Sequence, residues 1–130
     1  KYSDAWHVAH LTYPRAVVPT SIMPAYPWLA TTDLAVDDLG AHLTVLRELG
    51  VPYTDAMIAN APHDAIAQAS PDSPAAAGVV ERYGAVTTVR RFSGGTNVTE
   101  MDALVAYLQV LGQLTQAPYA KGDKLNEDNP

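Results

Sequence analysis

The spacing of apolar residues predicts three amphipathic helices. The strongest pattern lies near the carboxyl end of the chain and consists of Met101, Leu104, Val105, Leu108 and Leu111. Residues that recur at intervals of three and four share one face of an α-helix. Thr99 stands where an N-cap residue belongs, with Asp102 in place of the usual Glu or Gln of a capping box. Gly112 then predicts the end of this helix.

A second pattern occupies the first half of the chain. Its apolar members are Leu34, Ala35, Leu39, Leu43, Leu46 and Leu49. Thr32 and Asp33 predict the start of a helix, and Gly50 lies where a C-cap glycine belongs. The pattern therefore predicts an amphipathic helix from about residue 32 to residue 49.

A shorter helix is predicted at the amino end. Ser3 is a good N-cap residue, and the carboxylate of Asp4 lies at the positive end of the helix dipole. The residues that then share one face are Trp6, Ala9 and His10. Pro14 is expected to end this helix, which runs from Asp4 to about Leu11.

The stretch of about residues 53–97 is expected to be a helical insertion that decorates a smaller fold. A helix is predicted to begin near Asp55, and Pro62 either kinks it or starts a fresh helix as its first residue. Another helix is predicted from Ala75 to Tyr83. Residues 85–92 are rich in β-branched side chains and predict a short extended segment. The fold class predicted for the whole chain is mainly α.

The segment from Val17 to Tyr26 is predicted to be a rigid loop that holds Met23 in an extended conformation. Pro19 and Pro24 fix their own φ angles and keep the residue before each of them out of the helical region. A methionine held in this way is either a flexible gap-filler in a core or a soft ligand to haem iron. The patch that follows packs on a flat apolar surface or forms a small satellite core, and it comprises Tyr26, Pro27, Trp28 and Leu29.

Composition and charge narrow the functions that remain. Eight Lys and Arg against fourteen Asp and Glu give a formal charge of −6 without any basic block. This balance argues against nucleic acid as a partner and favours a basic protein surface. The chain has no cysteine, which excludes disulfides, thiolate catalysis and cysteine-based metal sites. No apolar run is long enough to cross a membrane, and no signal-peptide pattern occurs.

The residues alone leave three functions open. No Ser, His and Asp arrangement and no glycine-rich phosphate loop stands out, so independent enzymatic activity is not expected. If Met23 is an iron ligand, the chain belongs to a haem protein. If Met23 is a core residue, the chain is a haem-free helical module for protein interaction. A copper site built from His7, His10 and Met23 is the third possibility.

Several of these segments together resemble the second half of a class I cytochrome c domain. The matching segments are Tyr2–His7, Tyr13–Arg15, Pro19, Ser21–Pro24 and Ala103–Leu108. The pattern of that class is a helix with an inward aromatic residue, an Asn-Pro-Lys/Arg step, a proline, the methionine ligand loop and a terminal helix. Tyr13 stands where the class often has Asn.

Longer segments resemble the monohaem cytochrome c subunit, subunit II, of cbb(3)-type cytochrome c oxidases. They are Trp6–Leu11, Val17–Pro19, Met23–Tyr26, Leu49–Asp55 and Thr99–Gln109. The resemblance implies a subunit at the periplasmic face of the bacterial inner membrane. There it would pass electrons from a dihaem cytochrome c subunit or a soluble cytochrome c to the catalytic haem–copper subunit.

The same resemblance implies a set of haem-binding residues. Met23 would be the axial ligand of the haem iron, a role that raises the haem potential. The residues implied to surround the haem or its propionates are Trp6, Arg15, Tyr26 and Trp28.

The chain departs from the family because it lacks the haem-attachment motif. The family binds haem through Cys-x-x-Cys-His, and this chain contains no cysteine. We therefore expect residues 1–112 to be the C-terminal part of a cytochrome c-like domain, and residues 113–130 to be a polar, flexible tail. The motif, the proximal histidine and the anchor helix are expected to precede Lys1, so haem c belongs to the intact protein and not to this fragment. Apolar faces left without partners are expected to repack internally or to be buried in a homodimer.

Overall fold

The chain forms helices joined by loops in the computed structural model, which describes residues 2–111 and 113. The α-helices are α1 (Asp4–Thr12), α2 (Pro14–Val17), α3 (Leu39–Glu48), α4 (Asp55–Gln68), α5 (Ala76–Tyr83) and α6 (Glu100–Leu111). A short 3-10 helix spans Pro27–Ala30. Within this part of the chain no strand forms, and a single isolated antiparallel bridge joins Asp33 to Thr99. The predicted fold class, mainly α, is confirmed.

Helix α1 begins where its capping residues predict. The hydroxyl of Ser3 accepts a hydrogen bond from the backbone N–H of Trp6 at 3.1 Å. The helix ends at Thr12. Pro14 also starts the next helix: it is the first residue of α2, where its missing N–H costs nothing.

Helix α3 begins later than its apolar pattern predicts, at Leu39 instead of near Thr32. The backbone N–H of Leu34 donates to the carbonyl of Val98 at 3.1 Å, and that of Glu100 donates to the carbonyl of Thr32 at 3.0 Å. These bonds to a distant segment replace the hydrogen bonds that a longer helix would make. The predicted end of the helix is correct, since Gly50 follows it with a φ of 101°.

Helix α4 runs through Pro62 without a break, so Pro62 does not start a fresh helix, which was one of the two alternatives predicted for it. Thr54 caps the helix by accepting a hydrogen bond from the N–H of Met57 at 3.2 Å. Because proline has no N–H, the carbonyl of Ile58 loses its helical donor. Gly40 of α3 lies against that same carbonyl, and a Cβ at Gly40 would stand 3.2 Å from it.

Helix α5 matches its prediction, and residues 85–92 form a turn and a loop without a strand. The side chain of Gln68 donates to the carbonyl of Thr88 at 3.2 Å. The N–H of Arg90 in turn donates to the carbonyl of Gln68 at 3.0 Å. The loop is therefore held against the end of α4 and not against a neighbouring strand.

One buried cluster brings together residues of α1, of α6 and of the segment between them. It consists of Leu11, Ala69, Phe92, Met101 and Val105. Ala69 and Phe92 come from the stretch that was expected to be an insertion, so that stretch shares a core with α1 and α6. Gly112, predicted to end α6, and the expected tail from residue 114 onward lie outside the described residues.

Candidate functional site

The loop that carries Met23 is fastened at Ser21. The N–H of Ser21 donates to the carbonyl of Val18 at 2.9 Å. The Ser21 hydroxyl accepts from the N–H of Met23 at 3.2 Å, and the Ser21 carbonyl accepts from Nε of Arg15 at 3.1 Å. Three hydrogen bonds around one small residue therefore fix the backbone directly before Met23.

The side chain of Met23 lies at the boundary between the core and the surface. It is half-buried and packs against the buried cluster of α1 and α6. Its neighbour Ile22 is 96% exposed, so the loop turns one apolar side chain outward and the next one inward. The thioether is thus supported on one side by the core and is close to the surface on the other.

Tyr26 and Trp28 adjoin this loop. Tyr26 is half-buried in the same cluster as Met23, and its N–H donates to the carbonyl of Leu11 at 2.8 Å. The rings of Tyr26 and Trp28 meet edge to face with their centroids 5.4 Å apart. Trp28 itself is 53% exposed. Arg15 is thus linked to the Met23 loop through Ser21, whereas Tyr26 packs on the same cluster as Met23 and contacts Trp28. We name Met23, Arg15, Tyr26 and Trp28 the Met23 surface.

Trp6 has different neighbours. Its ring stacks between Tyr2, at a centroid distance of 4.0 Å, and His10, at 4.5 Å. The residues of α1 that face the core cluster are Val8 and Leu11, which lie on another side of the helix. Trp6 is therefore part of an aromatic stack along α1 and not of the cluster that supports Met23.

The rings of His7 and His10 both contact Trp6. The ring of His7 meets Trp6 edge to face at 5.4 Å. Burial lowers the pKa of His7 from its ordinary value of 6.5, and the nearby Asp4 carboxylate opposes this effect. Over residues 2–111 and 113, no group of three or more His, Cys, Asp or Glu side chains is placed to hold a metal ion.

The donor set of the Met23 surface fits one part of a haem site. It includes a thioether, which is a known type of axial ligand of haem iron, and the contacting aromatic rings of Tyr26 and Trp28, which adjoin the same loop. No cysteine is present to attach the group covalently. The chain therefore has a side chain suited to one axial position and none suited to covalent attachment of haem through sulfur.

A network that the sequence pattern did not predict holds α1 against the rest of the molecule. The guanidinium of Arg90 donates to both carboxylate oxygens of Asp4, at 2.5 and 2.9 Å. The amide of Gln109 donates to Asp4 at 2.7 Å and to the carbonyl of Tyr2 at 2.8 Å. The hydrogen bonds from Arg90 hold the pKa of Asp4 below its ordinary value of 3.8, and that from Gln109 adds to the effect, while burial opposes both. No local signal predicts contacts between residues so far apart in sequence.

Comparison with known proteins gives one family. A search of curated proteins gave no match. No helix in the described part of the chain has the length and apolar character needed to cross a membrane. Residues 1–115 match the family described as cytochrome c oxidase, mono-heme subunit/FixO, which confirms the resemblance drawn from the sequence. The chain therefore belongs to the FixO family, the mono-haem subunit of cytochrome c oxidase.

Proposed function

We propose that the chain is part of the electron-transfer subunit of a bacterial cbb(3)-type respiratory oxidase. Its task would be to receive electrons from a dihaem cytochrome c subunit or a soluble cytochrome c. It would pass them to the catalytic haem–copper subunit at the periplasmic face of the inner membrane. Membership of the mono-haem oxidase subunit family supports this assignment. The observation that carries it in this chain is the fastened loop that holds Met23.

Met23 is the proposed axial ligand. A haem iron, when bound, supplies a one-electron redox centre whose potential a thioether ligand raises. The residues of the chain keep that thioether in place, because Arg15 and the Ser21 hydroxyl fix the backbone before Met23. Packing of Met23 on the core then limits the positions available to its side chain. A weak ligand remains bound more of the time when its position is already fixed.

The other residues of the Met23 surface have supporting roles in this proposal. Tyr26 and Trp28 would exclude water from one side of the group, since their rings adjoin the methionine loop. Arg15 would stay near a propionate while its Nε fastens the loop. Trp6 would contact the haem from α1 only through an edge of its ring, because Tyr2 and His10 stack on it. A Cys-x-x-Cys-His motif before Lys1 would supply the covalent attachment and the second axial ligand.

Potentiometric titration of the haem-loaded subunit tests the role of Met23. Met23→Leu keeps the apolar volume but removes the sulfur, so the midpoint potential should fall by on the order of 0.1 V. Met57→Leu is the matched control, because Met57 is also half-buried but caps α4 through its sulfur instead of adjoining this loop. Equal midpoint potentials in Met23→Leu and in the unchanged subunit would contradict the proposal.

A further inference from the structure

Helix α3 carries more apolar surface than its neighbours cover. Leu39 and Leu43 are half-buried and line a cleft of about 260 Å³ together with Ala61 and Ala65 of α4. Successive residues of a helix are rotated by about 100°, so Val45 and Leu49 point roughly 120° away from that pair. One side of α3 therefore packs on α4, and a second apolar side does not.

This second side is exposed. Leu49 is 77% exposed and Val45 54%, and the exposed apolar surface continues through Leu46 to Val51. We name these four residues the outer stripe. A surface helix that packs on one neighbour normally has one apolar stripe, and the rest of its surface is polar. A second stripe on the same helix is typical of a surface that another molecule covers.

Two carboxylates lie beside the outer stripe, one at the N-cap of α3 and one in its last turn. Helical spacing places Asp38 in line with Val45 and Leu49, and Glu48 beside them. Arg47 is the only Lys or Arg of α3, and it projects from the other side of the helix. Its guanidinium is also paired with Asp55, with Nη1 and Oδ1 2.6 Å apart. The outer stripe is thus edged by two carboxylates, and the exposed imidazole of His42 lies in the same row of the helix as Val45 and Leu49.

We propose that the outer stripe binds a partner protein whose apolar side chains are edged by Lys or Arg. Complementary charge selects such a partner and speeds its approach. A second copy of the chain would bring Asp38 and Glu48 against their own equivalents, which repel one another. An anionic membrane surface would be repelled for the same reason. The proposed contact does not depend on haem, because the outer stripe and the Met23 surface share no residue.

A synthetic amphipathic helix of leucine and lysine serves as the probe, with a leucine and glutamate helix of the same pattern as its charge control. Binding is measured by fluorescence anisotropy, and the contact is mapped by amide chemical shifts in the full chain. The lysine peptide should bind more tightly than the glutamate peptide and should shift the amides of α3. Its affinity should fall with added salt, because exposed charges are screened.

Variants separate the apolar and the charged contributions. Leu49→Ser should weaken the lysine peptide about tenfold, the effect of losing one well-buried leucine contact. Glu48→Lys should weaken the lysine peptide and strengthen the glutamate peptide. Val86→Ser is the matched control, because Val86 is 92% exposed but lies outside the outer stripe, and it should change neither affinity.

Several results would overturn the proposal. They are equal binding of the two peptides, chemical shifts that avoid α3, equal losses in Leu49→Ser and Val86→Ser, and a dimer of the unbound chain that Leu49→Ser abolishes. The last result would assign the outer stripe to a second copy. Binding to anionic vesicles that Leu49→Ser abolishes would likewise assign it to a membrane and contradict the charge argument.

Discussion

The loop of Met23 was predicted in part from individual residues of the sequence. Pro19 and Pro24 correctly predict that Met23 lies in a loop outside the helices. The bond from Arg15 to the Ser21 carbonyl, which helps to fix that loop, does not follow from the sequence pattern. The reason is physical: the conformation of a proline is set locally, whereas the reach of an arginine depends on where the backbone has already turned. The axial-ligand role of Met23 stays a prediction.

The ion pair between Asp4 and Arg90 predicts how the stability of the chain depends on pH. Asp4→Asn removes the charge that binds Arg90 and should lower the free energy of unfolding by about 1 kcal/mol, since the pair is partly exposed. Because the folded state lowers the pKa of Asp4, this stabilisation is present above the ordinary pKa of 3.8 and is lost as the pH falls through the lower folded value. Urea unfolding at a series of pH values measures both effects.

A second ion pair provides the control for Asp4. Asp72 pairs with Arg91 at 2.9 Å, but its side chain is 82% exposed. Asp72→Asn should therefore leave the free energy of unfolding almost unchanged, because exposed pairs contribute little. Equal losses in the two variants, or an acid-induced loss of stability that Asp4→Asn leaves as steep as before, would show that Asp4 has no special role.

Helices α1, α4, α5 and α6 follow from their own sequences, whereas the start of α3 does not. Capping residues and apolar spacing are local signals, and they predict the position of α6 to within a residue at its start. The residues before α3 have the same apolar spacing but pair with the segment that precedes α6, as the bridge from Asp33 to Thr99 shows. A contact between such distant residues overrides the local preference for helix, and the spacing of apolar residues does not predict such a contact.

For α6, the hydrogen bonds of Asp102 predict a large contribution to stability. It is buried, and its carboxylate accepts hydrogen bonds from the N–H of Thr99 at 2.9 Å and from the N–H of Ser93 at 2.7 Å. Asp102→Ala leaves these donors without their acceptor, so the free energy of unfolding should fall by about 2–4 kcal/mol. Thermal or urea unfolding followed by circular dichroism measures the change.

Glu100 is the matched position for that experiment. It supplies the other carboxylate in the first turn of α6, where it interacts mainly with the helix dipole. Glu100→Ala should cost about 0.5 kcal/mol, the usual size of such an interaction. If the two substitutions lower the free energy of unfolding by the same amount, the carboxylate of Asp102 does not hold the loop of Ser93 to the helix.

At the scale of the whole molecule, one buried cluster links the middle of the described chain to α1 and α6. Phe92 and Ala69 pack with Leu11, Met101 and Val105, so the middle of the chain supports the helix that leads to the Met23 loop. Apolar content predicts that a core exists, but it does not predict which distant residues meet in it. The family assignment explains why the ordered segments resembled a cytochrome subunit although the attachment motif is missing from the chain.

Proton NMR of the reduced haem-loaded subunit tests the role of Met23 most directly. A methionine methyl bound to low-spin haem iron lies over the ring, so the ring current moves its resonance far upfield of all other methyl signals. We predict one such signal, which Met23→Leu abolishes and Met57→Leu leaves unchanged. An upfield methionine signal that survives in Met23→Leu, or its absence from the unchanged subunit, would contradict the assignment of Met23 as the axial ligand.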